Sequence, residues 1–410
     1  MPTAPVENSS LRPDRAAPRA VLSMAGLLGM ALLVGMGEKM AERYLPVYLL
    51  ALGGTALSIS LLTGMDDLLS ALYSFPGGYL ADRIGTKRAL VVFNLMAMSG
   101  FVIVIAIPSW PAVIVGAAFF LSWTAISLPA TMKLVAAVLP KHRRTLGVSV
   151  HSFVRRIPMA LGPFVGGVFI DTWGLRTGVR YAFVVALAMA AVALVMQQLL
   201  IQDDGARKLS GAEKNPFRVF RAMTPALRNL LVADILVRFC ERIPYGFVVV
   251  WSMKVITRSV TGLQFGLLTA IEMATAMLIY IPVAYLADRT RKKPFVTVTF
   301  GFFTLFPLAL IFCDSFALLA GAFVLRGLKE FGEPTRKALI MDLAPDDQKA
   351  PMFGLYYLLR DVIVSLAAFS AWRLWEISPA TNFLVAFGFG VAGTLWFALR
   401  GRDLQSPTPA

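Results

Sequence analysis

Long apolar stretches separated by short polar breaks run along almost the whole chain. Each is long enough to cross a hydrocarbon core of roughly 30 Å as a helix. In lipid the backbone must satisfy its own hydrogen bonds, and a helix does so within one segment. Read with the loop charges, the pattern predicts about twelve spans, near 20–48, 56–81, 89–108, 111–138, 146–170, 180–201, 227–253, 262–287, 295–313, 316–341, 352–374 and 381–399. The longest polar break is 202–225, which carries Asp203, Asp204, Arg207, Lys208, Glu213 and Lys214. The expected layout is a disordered cytoplasmic tail over 1–19, a six-helix bundle over 20–201, a central cytoplasmic linker over 202–225, a second six-helix bundle over 226–400 and a cytoplasmic tail over 401–410. The fold class expected is an all-α integral membrane protein, with about twelve transmembrane helices in two pseudo-symmetric six-helix bundles.

Composition sharpens this picture. Of the 410 residues, 57% are hydrophobic, and the mean hydropathy is +0.70. A net charge of +15 would suit nucleic acid if the bases shared one soluble face, but they do not. They gather in alternate short loops: Arg83, Lys87 and Arg88; Lys141, Arg143 and Arg144; Arg289, Arg291, Lys292 and Lys293; Arg400 and Arg402. The opposite loops carry fewer, chiefly Arg176, Arg180, Lys254, Arg258 and Arg373. The positive-inside rule then puts both termini in the cytoplasm of a multi-pass plasma (inner) membrane protein. Its expected surroundings are the lipid bilayer, with no nucleic acid. Trp110, Trp173, Trp251, Trp372 and Trp375 fall at the outer ends of spans, where an aromatic belt is expected. The first apolar run ends in Glu38 and Lys39 and reads as a span, not a cleaved signal peptide. Cys240 and Cys313 sit in apolar segments, without disulfide or metal-ligand spacing.

The chain repeats itself. Gly78-Tyr79-Leu80-Ala81-Asp82-Arg83-Ile84-Gly85-Thr86-Lys87-Arg88 has a second version in Ala284-Tyr285-Leu286-Ala287-Asp288-Arg289-Thr290-Arg291-Lys292-Lys293. At the same offset Leu61-Leu62-Thr63-Gly64-Met65-Asp66 aligns with Leu267-Leu268-Thr269-Ala270-Ile271-Glu272, and Pro76 with Pro282. In the first helix of each half Lys39, Glu42 and Arg43 align with Arg238, Glu241 and Arg242.

With these residues in view, the chain resembles the major facilitator superfamily of secondary transporters over essentially its full length. Gly78, Asp82, Arg83, Gly85, Lys87 and Arg88 match that family's loop signature G-x-L-x-D-R-x-G-x-[KR]-[KR], and Asp288 and Arg289 belong to a degenerate second copy. Gly162-Pro163-Phe164-Val165-Gly166-Gly167 resembles the G-P-x-x-G-G core of its antiporter motif. Leu121-Ser122-Trp123 stands where the family's fourth span carries a membrane-embedded Arg before a Gly. The resemblance implies two lobes that rock about a midplane site, with the loop cluster as a cytoplasmic gate that latches them. Gly162, Pro163, Gly166 and Gly167 are also what close helix packing needs.

Ionisable residues inside the spans are the main functional signal. A charge near the centre of a membrane helix costs about 2.5–3.5 kcal/mol even on a lenient scale, so these groups must pair or face a hydrated cavity. The candidate lining comprises Glu38, Lys39, Glu42, Arg43, Asp66, Asp67, Arg155, Arg238, Glu241, Arg242, Glu272, Lys329, Glu330, Glu333 and Arg360. Asp66 or Asp67, then Glu272, are the first candidates for a proton-titrating site. Arg155, Arg238 and Arg360 are candidates to clamp an anionic group through bidentate bonds. No phosphate-binding loop and no nucleophile–base set occurs, which disfavours ATP-driven transport and enzymatic activity. No metal or cofactor is expected; Met273 and Met277 read as packing residues.

The function expected is secondary active transport of a small polar or charged solute, coupled to protons, with efflux favoured and the monomer as the working unit. The alternatives are a proton-coupled importer of a nutrient, siderophore or metal complex, and a transport-inactive scaffold or receptor that keeps the fold.

Overall fold

A computed structural model of the chain describes residues 16–121, 123, 127, 144–201, 216–287, 291–345 and 349–403. Every regular element among the described residues is helical. The first half contains α1 (Ala16–Glu42), α2 (Leu45–Ala51), α3 (Ala56–Ile84), α4 (Thr86–Ala106), α5 (Trp110–Phe120), α6 (Arg144–Trp173) and α7 (Leu175–Leu200). The second contains α8 (Pro216–Arg221), α9 (Pro225–Tyr245), α10 (Phe247–Val250), a π turn over Trp251–Val255, α11 (Gly262–Ala287), α12 (Lys292–Ile311), α13 (Phe316–Leu328), α14 (Glu333–Leu343), α15 (Lys349–Ile377) and α16 (Pro379–Arg400).

Six helical stretches among the described residues are long and apolar enough to cross a membrane: Thr86–Ala106, Leu175–Leu200, Gly262–Ile279, Lys292–Ile311, Pro351–Ile377 and Pro379–Arg400. Elsewhere charge or a break interrupts the apolar run. Expected span one is divided between α1 and α2, with Pro46 in the first turn of α2. Span seven breaks at Gly246, just after Pro244. Span ten is divided between α13 and α14, with Pro334 opening α14. Proline lacks an N–H and removes a helix hydrogen bond where it sits, so each break has a local cause. Non-helical backbone at membrane depth is tolerated only where protein buries it or a cavity faces it.

Within the first half α1 packs along α6 and α7, α4 along α5 and α7, and α3 against α4. Within the second, α9 packs along α15 and α16, α12 along α16, and α11 along α13. The two halves meet chiefly where α6 lies on α11 and where α3 lies on α15. Phe101, Phe120 and Phe183 form a tilted three-ring cluster in the first-half core. Beside it runs a buried polar chain: Trp123 Nε1 donates to Asn94, Asn94 to Gln197, and Gln197 to the Lys87 carbonyl, at 2.7–2.8 Å.

The part of the 202–225 linker that is described is not extended. Residues 216–221 form α8, with Val219 and Met223 buried in a core cluster of the second half. The Thr224 hydroxyl then caps α9 by accepting from the Leu227 N–H at 3.2 Å. Two of the expected belt tryptophans are tied to neighbouring helices instead. Trp251 Nε1 donates to the Leu310 carbonyl at 3.0 Å, and Trp375 stacks on Phe247 at 4.5 Å between centroids.

Candidate functional site

The three breaks gather charge. The sequence places Glu38, Lys39, Glu42 and Arg43 at the end of α1, and Arg238, Glu241 and Arg242 at the end of α9. Lys329 and Glu330 sit between α13 and α14, and Glu333 and Arg336 start α14. Residues three apart share a helix face, so each copy of the repeat closes an internal ion pair. In the first, Lys39 bonds Glu42 and also Glu38 at 3.1 Å. In the second, Arg238 bonds Glu241 at 2.6 Å.

The arginine that follows each pair reaches into the other half. Arg43, of the first half, faces Glu272 of α11 at 4.0 Å. Arg242, of the second half, faces Asp67 of α3 at 2.8 Å. The two bridges are reciprocal in that Arg43 and Arg242 are repeat equivalents, while the acids differ by one place in the repeat: Asp66, next to Asp67, aligns with Glu272. Glu272 also has Arg326 at 3.2 Å and Lys329 at 3.5 Å, and Lys329 continues to Glu241 at 2.7 Å. Among the described residues both Glu272 oxygens and Oδ2 of Asp67 are buried without a well-oriented hydrogen bond. These acids are held by charge more than by directed bonds, which suits bridges that must break and re-form. A third link between the halves joins Arg156 to Glu330 at 3.6 Å.

A second cluster lies wholly within the second half. Asp234 is fully buried, bonded to Arg336, with Arg360 at 3.5 Å, Arg238 at 3.8 Å and the Tyr356 hydroxyl donating at 3.0 Å. Glu333 pairs with Arg336 at 2.6 Å, Lys337 at 3.4 Å and Arg238 at 3.5 Å, while Arg360 also bonds Asp361 at 2.7 Å. Arg238 and Arg360, expected as anion clamps, are therefore committed to protein carboxylates in this conformation. Arg155 makes no hydrogen bond or ion pair among the described residues, and neither does Asp66.

Asp66 faces a cavity of about 40 Å³ between the halves, together with Glu42, Arg43, Arg326 and Tyr245. Leu62, Val248 and Phe265 supply apolar wall. One water needs roughly 10–15 Å³ on this measure, so the cavity holds a few waters and no larger solute in this conformation. Tyr245 is the centre of the layer. The guanidiniums of Arg43, Arg242 and Arg326 lie 5.3, 4.6 and 5.5 Å from its ring centroid, all within cation–π range.

Where α6 ends and α11 begins, the halves are in close contact. The Tyr44 hydroxyl lies 2.6 Å from the Pro163 carbonyl and 2.8 Å from that of Gly262, so its one proton is shared between helices of opposite halves. The Asp171 carboxylate, from the end of α6, accepts from the Gly262 and Leu263 N–H groups at 2.8 and 2.9 Å. An acid of one half thus caps a helix of the other, where the dipole favours negative charge. Gly167 permits this approach, while Gly162 and Gly166 let α6 come close to α1 within the first half. A Cβ on Gly162 would meet Lys39 at 2.7 Å, one on Gly166 would fall on the Met40 carbonyl, and one on Gly167 would overlap the Gly262 carbonyl.

The loop signature is described only in part. Gly78 and Asp82 lie in α3, and their side chains fall outside the described residues, as do Asp288 and Arg289 entirely. Arg83 is exposed at the end of α3. Gly85 joins α3 to α4 at φ +90°, a conformation that favours glycine. Lys87 donates to the Gln198 carbonyl at 2.8 Å, within its own half, and Arg88 is engaged as well.

A family model described as Major Facilitator Superfamily matches residues 27–368. The chain belongs to the Major Facilitator Superfamily. It is 21% identical over 356 residues to the uncharacterized MFS-type transporter MJ1317 of Methanocaldococcus jannaschii, covering 85% of this chain and 87% of that protein. It is 27% identical over 241 residues to the quinolone resistance protein NorA of Staphylococcus aureus, an alignment spanning 56% of this chain and 60% of NorA. In fold it is similar to the nucleoside transporter NupG, with a TM-score of 0.77, 12% identity, and coverage of 92% of this chain and 100% of that one. A peptide transporter POT structure superposes with the same TM-score of 0.77, 15% identity, and 96% and 98% coverage. The relatives are transporters and not enzymes, so this superfamily member is a multi-pass membrane transporter of a small-molecule solute.

Five residues of this superfamily member's charged layer and inter-half contact escape a reading of the sequence: Tyr44, Asp171, Asp234, Tyr245 and Tyr356. For Asp234 a signal exists, since it precedes Arg238 by one helical turn and shares its face. The three tyrosines carry no such signal, because a tyrosine in an apolar run reads equally well as packing.

Proposed function

We propose that this chain is a proton-coupled secondary active transporter that moves a small polar or charged solute by alternating access, with efflux as its direction. It works as a monomer in the plasma membrane, with both termini in the cytoplasm and two six-helix bundles as the moving bodies. The reciprocal bridges carry this reading: Arg43 to Glu272 and Arg242 to Asp67 join opposite halves across a cavity. For the halves to part, both bridges must open, and each freed group then needs another partner. Solute and proton supply those partners, which couples their binding to the motion.

Asp66 is the residue assigned to the proton. It faces the cavity without an ion-pair partner, beside Glu42 and the cations Arg43 and Arg326. Gain or loss of its charge changes the balance that holds Arg43. The signature around Asp82 serves as a latch on the cytoplasmic side. Efflux is supported by the likeness to NorA, whose name records resistance to quinolones.

The test is reconstitution into liposomes with an imposed pH gradient and a screen of charged and polar solutes. Flux that accelerates when protons run opposite to solute supports the proposal. Flux in the same direction as protons would overturn efflux, and silence across the panel would leave a scaffold.

A further inference from the structure

A second, smaller cavity of about 10 Å³ lies beside the first, walled by Phe302, Phe303 and Phe306 of α12 and by Glu241 and Lys329. Tyr245, Val248 and Arg326 belong to the walls of both cavities. The partition between them is therefore made largely of two side chains, Tyr245 and Arg326. Arg326 is anchored by Glu272 at 3.2 Å and by the rings of Phe306 and Phe323 at 5.1 and 5.5 Å. Tyr245 is held by cations alone, Arg43, Arg242 and Arg326 over its ring, since its hydroxyl makes no hydrogen bond among the described residues. It follows Pro244 and precedes Gly246 at the break in the helix.

We propose that the two cavities are compartments of one solute site, joined when Tyr245 swings aside, and that the site takes an aromatic zwitterion of the α-amino-acid kind. This rests on the transport reading above and names the class of solute. The first compartment presents two opposite charges that are poorly matched by protein. Asp66 has no partner, and Arg43 has Glu272 only at 4.0 Å. An anion alone would meet only Arg43 and leave Asp66 to the proton, whereas an adjacent ammonium and carboxylate meet both, the ammonium then competing with the proton for Asp66. Displacing the cavity's water leaves each charge in need of a partner, so the preference is for the doubly charged end. In the second compartment Phe303 and Phe306 already carry Lys329 and Arg326 over their rings at 5.7 and 5.1 Å, while Phe302 carries no cation among the described residues, so an aromatic body packs against Phe302. Because both unmet charges line the same compartment, the solute's two charges sit at one end and its ring at the other. A molecule with ammonium and carboxylate at opposite ends of a flat ring system does not fit this arrangement.

The experiment is equilibrium binding to the full chain in detergent, without a gradient. The probes are phenylalanine, its methyl ester, N-acetylphenylalanine, alanine and a quinolone with well-separated charges. The expected result is that phenylalanine binds at least about tenfold tighter than each of the others, the usual cost of an unmet polar partner or a lost ring contact. Asp66→Asn should bring phenylalanine and its N-acetyl form to similar affinity, while Asp66→Glu keeps them apart. Phe302→Leu should weaken phenylalanine and leave alanine unchanged. Equal binding of the charged forms, tighter binding of the quinolone, or indifference to Phe302→Leu would each overturn the proposal. Flux of other solutes without this preference would sink only the substrate class. Binding in this pattern with no flux of any solute would sink only the transport reading.

Discussion

At the residue scale the charged layer divides into groups that hold the fold and groups that are free to change partners. Asp234 is of the first kind: it is fully buried, and three guanidiniums and a phenol share its two oxygens. Removing one member of a buried ion network leaves the others uncompensated, typically at about 3–5 kcal/mol. Asp234→Ala should therefore lower the thermal unfolding midpoint in detergent sharply, and a midpoint within a degree of the parent would refute the structural role. Asp67 and Arg242 are of the second kind, joined across the halves at 2.8 Å. Asp67→Arg and Arg242→Asp should each abolish flux, and the double exchange should recover part of it, with a coupling of about 0.5–3 kcal/mol in a double-mutant cycle. Strict additivity would mean that the pair does not act as a unit. Asp66→Asn should remove the response of solute flux to a pH gradient; an unaltered response would move proton coupling to another acid.

At the element scale the closest approach is α6 on α11. Gly167 and Gly262 let the backbones touch, and the Tyr44 hydroxyl and Asp171 carboxylate bridge the same contact. Small residues at such crossings are the usual means of close packing in membranes. Gly167→Val should prop this contact open. A cysteine placed at Leu263 should then react faster with a membrane-impermeant maleimide than in the Gly167 parent. Background labelling should be low, because Cys240 and Cys313 are both buried. Equal rates would show that the contact is not what closes this end. The apolar pattern alone allowed the glycine-rich stretch to be read as a packing surface. It did not say that the partner would be a helix of the other half, since small residues fit any neighbour.

At the scale of the whole molecule, the bundle contacts and the reciprocal bridges describe one thing seen twice. The halves share one continuous apolar core and two extensive helix contacts, α6 on α11 and α3 on α15, so parting them requires these packed faces to separate as well as the ion bridges. Asp82→Asn, at the loop signature, is expected to slow turnover while leaving equilibrium solute binding largely intact. A large loss of binding with normal turnover would contradict a latch. The superfamily was legible in the sequence because a membrane forces its terms openly: apolar length, positive loops and a repeated motif. The breaks in spans one and seven were less legible, because Pro46 and Pro244 adjoin runs that still read as apolar.

What the sequence determined by itself was the environment and the inventory: a multi-pass helical membrane protein, a doubled motif, and far more charge than an apolar helix tolerates without partners. Those follow from period, length and solvation cost, which are local properties. What only the tertiary structure decided was who meets whom. Arg238 and Arg360, read as clamps for a solute, are spent on Asp234, while Arg43 and Arg242 cross to the opposite half. Asp66 and Asp67 are neighbours in sequence, yet one faces the cavity unpaired and the other is bridged. Successive residues on a helix point about 100° apart, so adjacency along the chain cannot say which face a packed neighbour will cover.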